Sequence, residues 1–313
     1  MRKRTLLLAL ALIAVVGADT FIEHLAWAKS FGPGDHNIDF KVDGKERKAI
    51  VHVPPEAKSG KSLPLVIALH GGGMNMNHMQ RYSGLDKTAD KYGFIVAYPN
   101  GTGRGKWAKV ATWNAGYCCG QAKKKGVDDV AMVKKLISEV DGKAGVDRKR
   151  VYVTGISNGG MLTYKVGCEL SDEIAAIAPV AGAQSRSFSC KAKNPVAVLA
   201  IHGTQDQNVP FNGGVGSNSK SKVDNNSVAD NLAMWRKVNG CATNAATKTS
   251  KNHRSAEYER WKECKGGAEV AELKVNGGGH EWPRKDDAQW TQLSGRGDDI
   301  NDVIWDFFSQ HTR

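Results

Sequence analysis

Residues 150–154 form a short β-prone run that leads into Gly155-Ile156-Ser157-Asn158-Gly159, and residues 159–169 continue with helical character. A strand that gives way to a helix across so few residues must turn sharply. Glycines allow that turn, which lifts the serine hydroxyl above the sheet beside a helix N-terminus, where developing negative charge is favoured. A glycine-flanked serine also occurs by chance, and its bland reading is a tight turn whose serine caps the helix. The rest of the chain distinguishes the two.

Short apolar runs at residues 48–53, 65–69, 94–98, 196–201 and 271–275 read as strands. Residues 127–144, with Val130, Val133, Ile137 and Val140 on one face, read as a helix, as do 227–238 and 298–310. Strands alternating with helical crossovers imply an α/β fold: a mostly parallel central sheet with helices on both faces. Residues 213–226, rich in Gly, Ser, Asn and Lys, read as a mobile loop within one domain.

His70-Gly71-Gly72-Gly73 follows the run at 65–69, and its glycines let backbone N–H groups approach an oxyanion. A phosphate loop is the competing reading, but the chain has neither G-K-[ST] nor G-x-G-x-x-G at this turn. Asp206 lies just past the run at 196–201, and His280 just past the run at 271–275. Acid and base therefore fall on loops at strand C-termini, in the order serine, acid, histidine. Asp298 and Asp299 are rival acids that read as helix-dipole charges, and His202 is a rival base whose position before Gly203 reads as structural.

Arg2-Lys3-Arg4, an apolar run of about twelve residues and Ala26-Trp27-Ala28 make residues 1–28 read as a signal peptide. The expected mature unit is a single domain over 29–313, exported to the periplasm or the exterior. No stretch of about 18 apolar residues suggests a transmembrane span. Three basic and two acidic residues leave with the leader, so the formal charge of +12 becomes +11. The basic residues are dispersed, as in Lys123-Lys124-Lys125, without aromatic interleaving, which argues against nucleic acid. In an oxidising compartment the six cysteines read as up to three disulfides rather than a metal site, since no C-x-x-C or nearby histidine occurs. Cys241 and Cys264 flank a polar segment and suit a local staple, and adjacent Cys118 and Cys119 are expected to reach Cys168 and Cys190 in an open order.

Taken together, these segments resemble the secreted esterases that include polyhydroxybutyrate depolymerases, feruloyl esterases and acetylxylan esterases. The resemblance rests on Leu69-His70-Gly71-Gly72-Gly73, Ala97-Tyr98-Pro99-Asn100-Gly101, Trp113-Asn114-Ala115-Gly116, Cys118-Cys119-Gly120 and the serine turn through Met161. His202-Gly203-Thr204 through Asp206, Val209-Pro210 and Gly278-Gly279-His280-Glu281-Trp282-Pro283 complete it. It implies an α/β-hydrolase fold, a Ser157, Asp206 and His280 triad, and an oxyanion hole from the Gly72 and Asn158 amides. Many relatives have Cys at the position of Gly72, a difference that a backbone donor does not feel. Trp282 could stack on substrate at the rim, against a packing role. The expected activity is hydrolysis of short hydroxyalkanoate esters and oligomers by a monomer without metal or cofactor. Feruloyl or acetylxylan esters are the alternative substrates, and a silent binding protein or a serine peptidase on the same fold are the other classes. No Thr-rich linker or polymer-binding module follows, as such depolymerases usually have, which weakens an attack on crystalline polymer.

Overall fold

The structure is a computed structural model that describes residues 31–103, 109–242, 246–249, 256–283 and 299–313. The leader assigned to residues 1–28 lies outside them. Among the described residues twelve strands occur in chain order: β1 Gly34–Val42, β2 Lys45–Val53, β3 Leu63–Leu69, β4 Ile95–Pro99, β5 Thr102–Gly103, β6 Ala111–Thr112, β7 Val146–Ile156, β8 Ala176–Val180, β9 Ala197–Gly203, β10 Ala246–Thr249, β11 Ala256–Trp261 and β12 Val270–Val275. The helices are α1 Met76–Ser83, α2 Leu85–Tyr92, α3 Gly120–Lys124, α4 Asp129–Ala144, α5 Asn158–Glu169, α6 Val228–Val238 and α7 Ile300–Ser309.

Ten strands form one sheet in the order β1-β2-β4-β3-β7-β8-β9-β12-β11-β10. The six from β4 to β12 run parallel, and antiparallel pairs close both edges. Strand alternation sends successive side chains to opposite faces. Leu65, Ile67, Leu69, Val151 and Val153 meet α4, α5 and α6 through Val133, Ile137, Val166, Leu232 and Trp235. Val66, Ala68, Val96 and Tyr152 meet α1, α2 and α7 through Met79, Leu85, Ala89, Ile304, Phe307 and Phe308. Both faces are covered, as a parallel sheet requires. The helix expected over 127–144 begins where the Asp128 side chain accepts from the Val130 and Ala131 amides at 3.0 and 2.9 Å, an N-cap.

Several elements escape the sequence reading, β8, α1, α2 and β1 among them. The Ala-rich β8 contains Pro179 and shows little periodicity, α1 and α2 are short, and β1 is an edge strand that alternates weakly. The segment 213–226 is pinned rather than loose. Gly214 and Asn225 exchange backbone hydrogen bonds of 2.8 and 3.1 Å, the Asn218 amide donates to Gln207 O, and Asn225 is buried.

The disulfides correct one expectation. Cys241 bonds Cys264, as the flanked polar segment suggested, but Cys168 bonds Cys190, and Cys118 bonds Cys119. Cys168 sits in the last turn of α5, whereas Cys118 packs with Met161 in its first turn. Seven residues of helix, about 10 Å, separate those two neighbourhoods. Neither member of the adjacent pair reaches Cys168 or Cys190.

His52 on β2 ties the edge hairpin to α2. Its Nδ1 lies 2.6 Å from Asp35 Oδ1 and its Nε2 2.9 Å from Asp90 Oδ1, so both nitrogens donate and the ring is an imidazolium. Burial alone would lower its pKa, but the hydrogen bonds to Asp35 and Asp90 and the charge of Asp86 raise it. A raised folded value gives stability that is complete below the ordinary histidine value of 6.5 and is lost as pH rises through the folded value. The gap in thermal midpoint between wild type and His52→Gln is therefore largest below that value and narrows towards alkaline pH. A gap that widens with rising pH contradicts the clamp.

Candidate active site

The β7 strand gives way to α5 at Ser157, which holds φ 58° and ψ −120°. Such a conformation is costly for a residue with a Cβ and is kept only where the surroundings enforce it. Enforcement comes from close packing at Gly159. A Cβ there would collide with Leu69 O and lie 2.6 Å from His70 O. The Ser157 amide donates to Val180 O at 2.9 Å, which ties the turn to β8.

The loops after β9 and β12 bring the acid and the base to this hydroxyl. His280 Nε2 lies 2.8 Å from Ser157 Oγ, and His280 Nδ1 donates to Asp206 Oδ2 at 2.7 Å. A carboxylate accepts, so Nδ1 carries the hydrogen and Nε2 presents a lone pair to the serine hydroxyl. Asp206 Oδ1 accepts from the Asn208 and Val209 amides at 2.8 and 2.9 Å. Burial would push the Asp206 carboxyl up. The His202 and His280 hydrogen bonds, the His280 charge and the Val209 amide outweigh burial and hold it well below the usual carboxylate range. Two hydrogen bonds lace the loops together: Gln205 N to Gly278 O at 2.9 Å and Gly277 N to Thr204 Oγ1 at 2.8 Å.

Gly72 and Asn158 pack side by side next to the serine: a Cβ on Gly72 would lie 3.4 Å from Asn158 Cβ. Asn158 opens α5, where the first amides have no intrahelical acceptor. Its side chain is clamped from both ends. Oδ1 accepts from Trp113 N at 2.8 Å and Nδ2 donates to Trp113 O at 3.1 Å. Trp113 is fully buried and its indole donates to His70 O at 2.7 Å. The next residue is held in turn, because the Asn114 amide donates at 2.7 Å to Asp129, which pairs with Arg47 in a buried 2.8 Å ion pair.

His70 fixes the other half of the turn. The Gly101 amide donates to its Nε2 at 2.9 Å, so Nδ1 bears the hydrogen and donates to Gly71 O at 2.8 Å. Burial pushes His70 down to about 4, so the ring stays neutral at ordinary pH. Gly71 C=O and Gly72 N–H belong to one planar trans peptide and point in opposite directions. Pinning the carbonyl, which also accepts from Met74 N at 3.1 Å, therefore fixes the direction of the Gly72 N–H. From the sequence, only the glycines of this motif had a role. The histidine carried a resemblance but no chemistry, and Trp113, which the sequence offered for substrate stacking or for packing, is buried.

Trp282 requires a correction. It is 1% exposed, its indole donates to Asn301 Oδ1 at 3.1 Å, and its amide donates to Tyr82 Oη at 2.9 Å. It anchors the His280 loop to α1 and α7 and offers no face to substrate. Trp282→Ala should cost about 3–5 kcal/mol of stability, measured by denaturant unfolding, as loss of a buried indole does; a cost below about 1 kcal/mol would return the ring to the rim. Of the rival acids, Asp299 caps α7 by accepting from Asn301 N at 3.0 Å, and Asp298 lies outside the described residues. His202 is buried against Asp206 rather than near Ser157 Oγ.

The strand order, the serine turn at the end of β7, and acid and histidine loops after β9 and β12 define an α/β-hydrolase. The chain belongs to the esterase family described as Esterase PHB depolymerase, which matches residues 48–204. Feruloyl esterase B of Piromyces equi is 35% identical over 239 residues, 75% of this chain and 42% of that protein. The bifunctional acetylxylan esterase/xylanase XynS20E of Neocallimastix patriciarum is 31% identical over 265 residues, 84% of this chain and 33% of that protein. The chain thus spans less than half the length of these two curated relatives. Acetyl xylan esterase from Aspergillus awamori shares the fold at a TM-score of 0.60 and 17% identity, covering 88% of this chain and 99% of its own. No helix among the described residues is long and apolar enough to cross a membrane.

Proposed function

We propose that this chain is a serine carboxylic-ester hydrolase in which Ser157 is the nucleophile, His280 the general base and acid, and Asp206 the group that orients His280. The observation that carries the reading is the continuous Oγ–Nε2, Nδ1–Oδ2 chain of 2.8 and 2.7 Å beside the adjacent Gly72 and Asn158 amides. His280 Nε2 takes the hydroxyl proton as Ser157 Oγ attacks the ester carbonyl. The oxyanion then receives the two N–H groups, each worth about 3 kcal/mol of barrier. His280 returns the proton to the leaving alkoxide, and water repeats the cycle on the acyl-enzyme.

Acyl esters on plant polysaccharide are the favoured substrate class, supported by the two relatives named feruloyl and acetylxylan esterases. Hydroxyalkanoate oligomers are the second reading, supported by the description of the family. Residues 29–313 act as one exported, monomeric catalytic unit in this reading. An initial-rate panel at equal ester concentration, covering methyl ferulate, acetylated xylo-oligosaccharide, hydroxybutyrate oligomer and crystalline polyhydroxybutyrate, tests it. The soluble esters are expected to be cleaved far faster than the crystalline polymer, with a polysaccharide-type ester leading. Rapid clearing of crystalline polymer with soluble esters no better overturns it.

A further inference from the structure

Asp206 carries a second histidine. His202, on β9 and 2% exposed, places Nε2 2.7 Å from Val209 O and 3.3 Å from Asp206 Oδ2. Both neighbours are acceptors, so that nitrogen bears the hydrogen and shares it between them. Oδ2 is also the oxygen that receives His280 Nδ1–H. An ionised carboxylate has about four lone-pair directions. Here two amides occupy those on Oδ1 and two imidazoles those on Oδ2.

We propose that His202 is a positioning residue for ester hydrolysis: its Nε2–H locks the Asp206 carboxylate in place and draws charge from the oxygen that His280 uses. The proposal rests on the triad reading above. Its physical basis is competition at one atom. Each donor on Oδ2 lessens the charge left for the other, so His202 weakens the hold of Asp206 on a protonated His280. The local chain makes the arrangement compulsory. A Cβ on Gly203 would lie 2.6 Å from Gly279 O, so the strand ends on glycine, and the turn that follows folds Asp206 back over His202.

Other ionisable groups surround this pair. Glu272 and Lys274 lie on neighbouring β12, with Lys274 in register with His202 and its ammonium 3.1 Å from Glu257. Tyr164 lies on α5, and Glu281 follows His280. Among the described residues, His280 is the group that shares an Asp206 oxygen with His202.

The test is kcat/KM against pH on p-nitrophenyl acetate for wild type, His202→Leu and His202→Gln. In His202→Leu the acid limb should move to higher pH by about half to one unit, with plateau kcat down about tenfold and KM within about twofold. His202→Gln, whose amide N–H can replace the imidazole donor, should bring the limb back to the wild-type position. An unmoved limb in folded His202→Leu, or the same shift in both variants, overturns the proposal. Should His202→Leu fail to fold, the ¹⁵N spectrum of histidine-labelled wild type decides. His202 must appear as the Nε2–H tautomer, and an Nδ1–H tautomer overturns the proposal. Failure of the triad reading shows separately, as retained activity in Ser157→Ala or His280→Ala.

Discussion

Ser157→Ala should lower turnover by about a millionfold while leaving the fold intact. The variant loses one hydroxyl and its 2.8 Å contact with His280 Nε2. The backbone strain at φ 58° is the same for alanine as for serine, and the Ser157 amide keeps its bond to Val180 O. Stability and disulfide content should therefore match wild type. The measurement is single-turnover and steady-state hydrolysis of a soluble ester, alongside labelling by a fluorophosphonate. Activity within about a hundredfold of wild type, in protein free of wild-type contamination, would remove Ser157 from the nucleophile role.

Asp206→Asn should cost about 10⁴ in kcat at neutral pH. With Oδ1 still accepting from the Asn208 and Val209 amides, the new NH₂ group would face His280 Nδ1 and His202 Nε2–H. Two donors cannot share an axis, so His280 turns to its Nε2–H tautomer and offers Ser157 a hydrogen instead of a lone pair. Circular dichroism and unfolding should change little beside that loss. A variant within about tenfold of wild type would mean that another carboxylate orients the base.

Much of this site was legible because its chemistry depends on local chain geometry. Ser157, Asp206 and His280 each follow an apolar run and sit among glycines, and a strand end followed by glycine says where a loop must open. The parallel core was legible for the same reason, since β3 and β9 are almost wholly apolar and β7 and β12 carry apolar residues at their buried positions. The elements left out had no such signal. The short α1 and α2 hold their place through burial of Met79, Leu85 and Ala89 against the sheet.

By itself the sequence determined the order of the elements, the serine turn, and the residue types that carry acid and base. Those follow from periodicity, glycine placement and side-chain chemistry, all of which act over a few residues. Only the tertiary structure decided which atoms meet. It paired Cys168, in the last turn of α5, with Cys190, and it buried Trp282 between α1 and α7. It also set His70 against the Gly71 carbonyl and His202 against Asp206. A histidine reads the same in a sequence whether it takes a proton, pins a peptide or steadies a carboxylate. Its neighbours across the fold, from Gly101 on one side to Val209 on the other, assign the tautomer and with it the role.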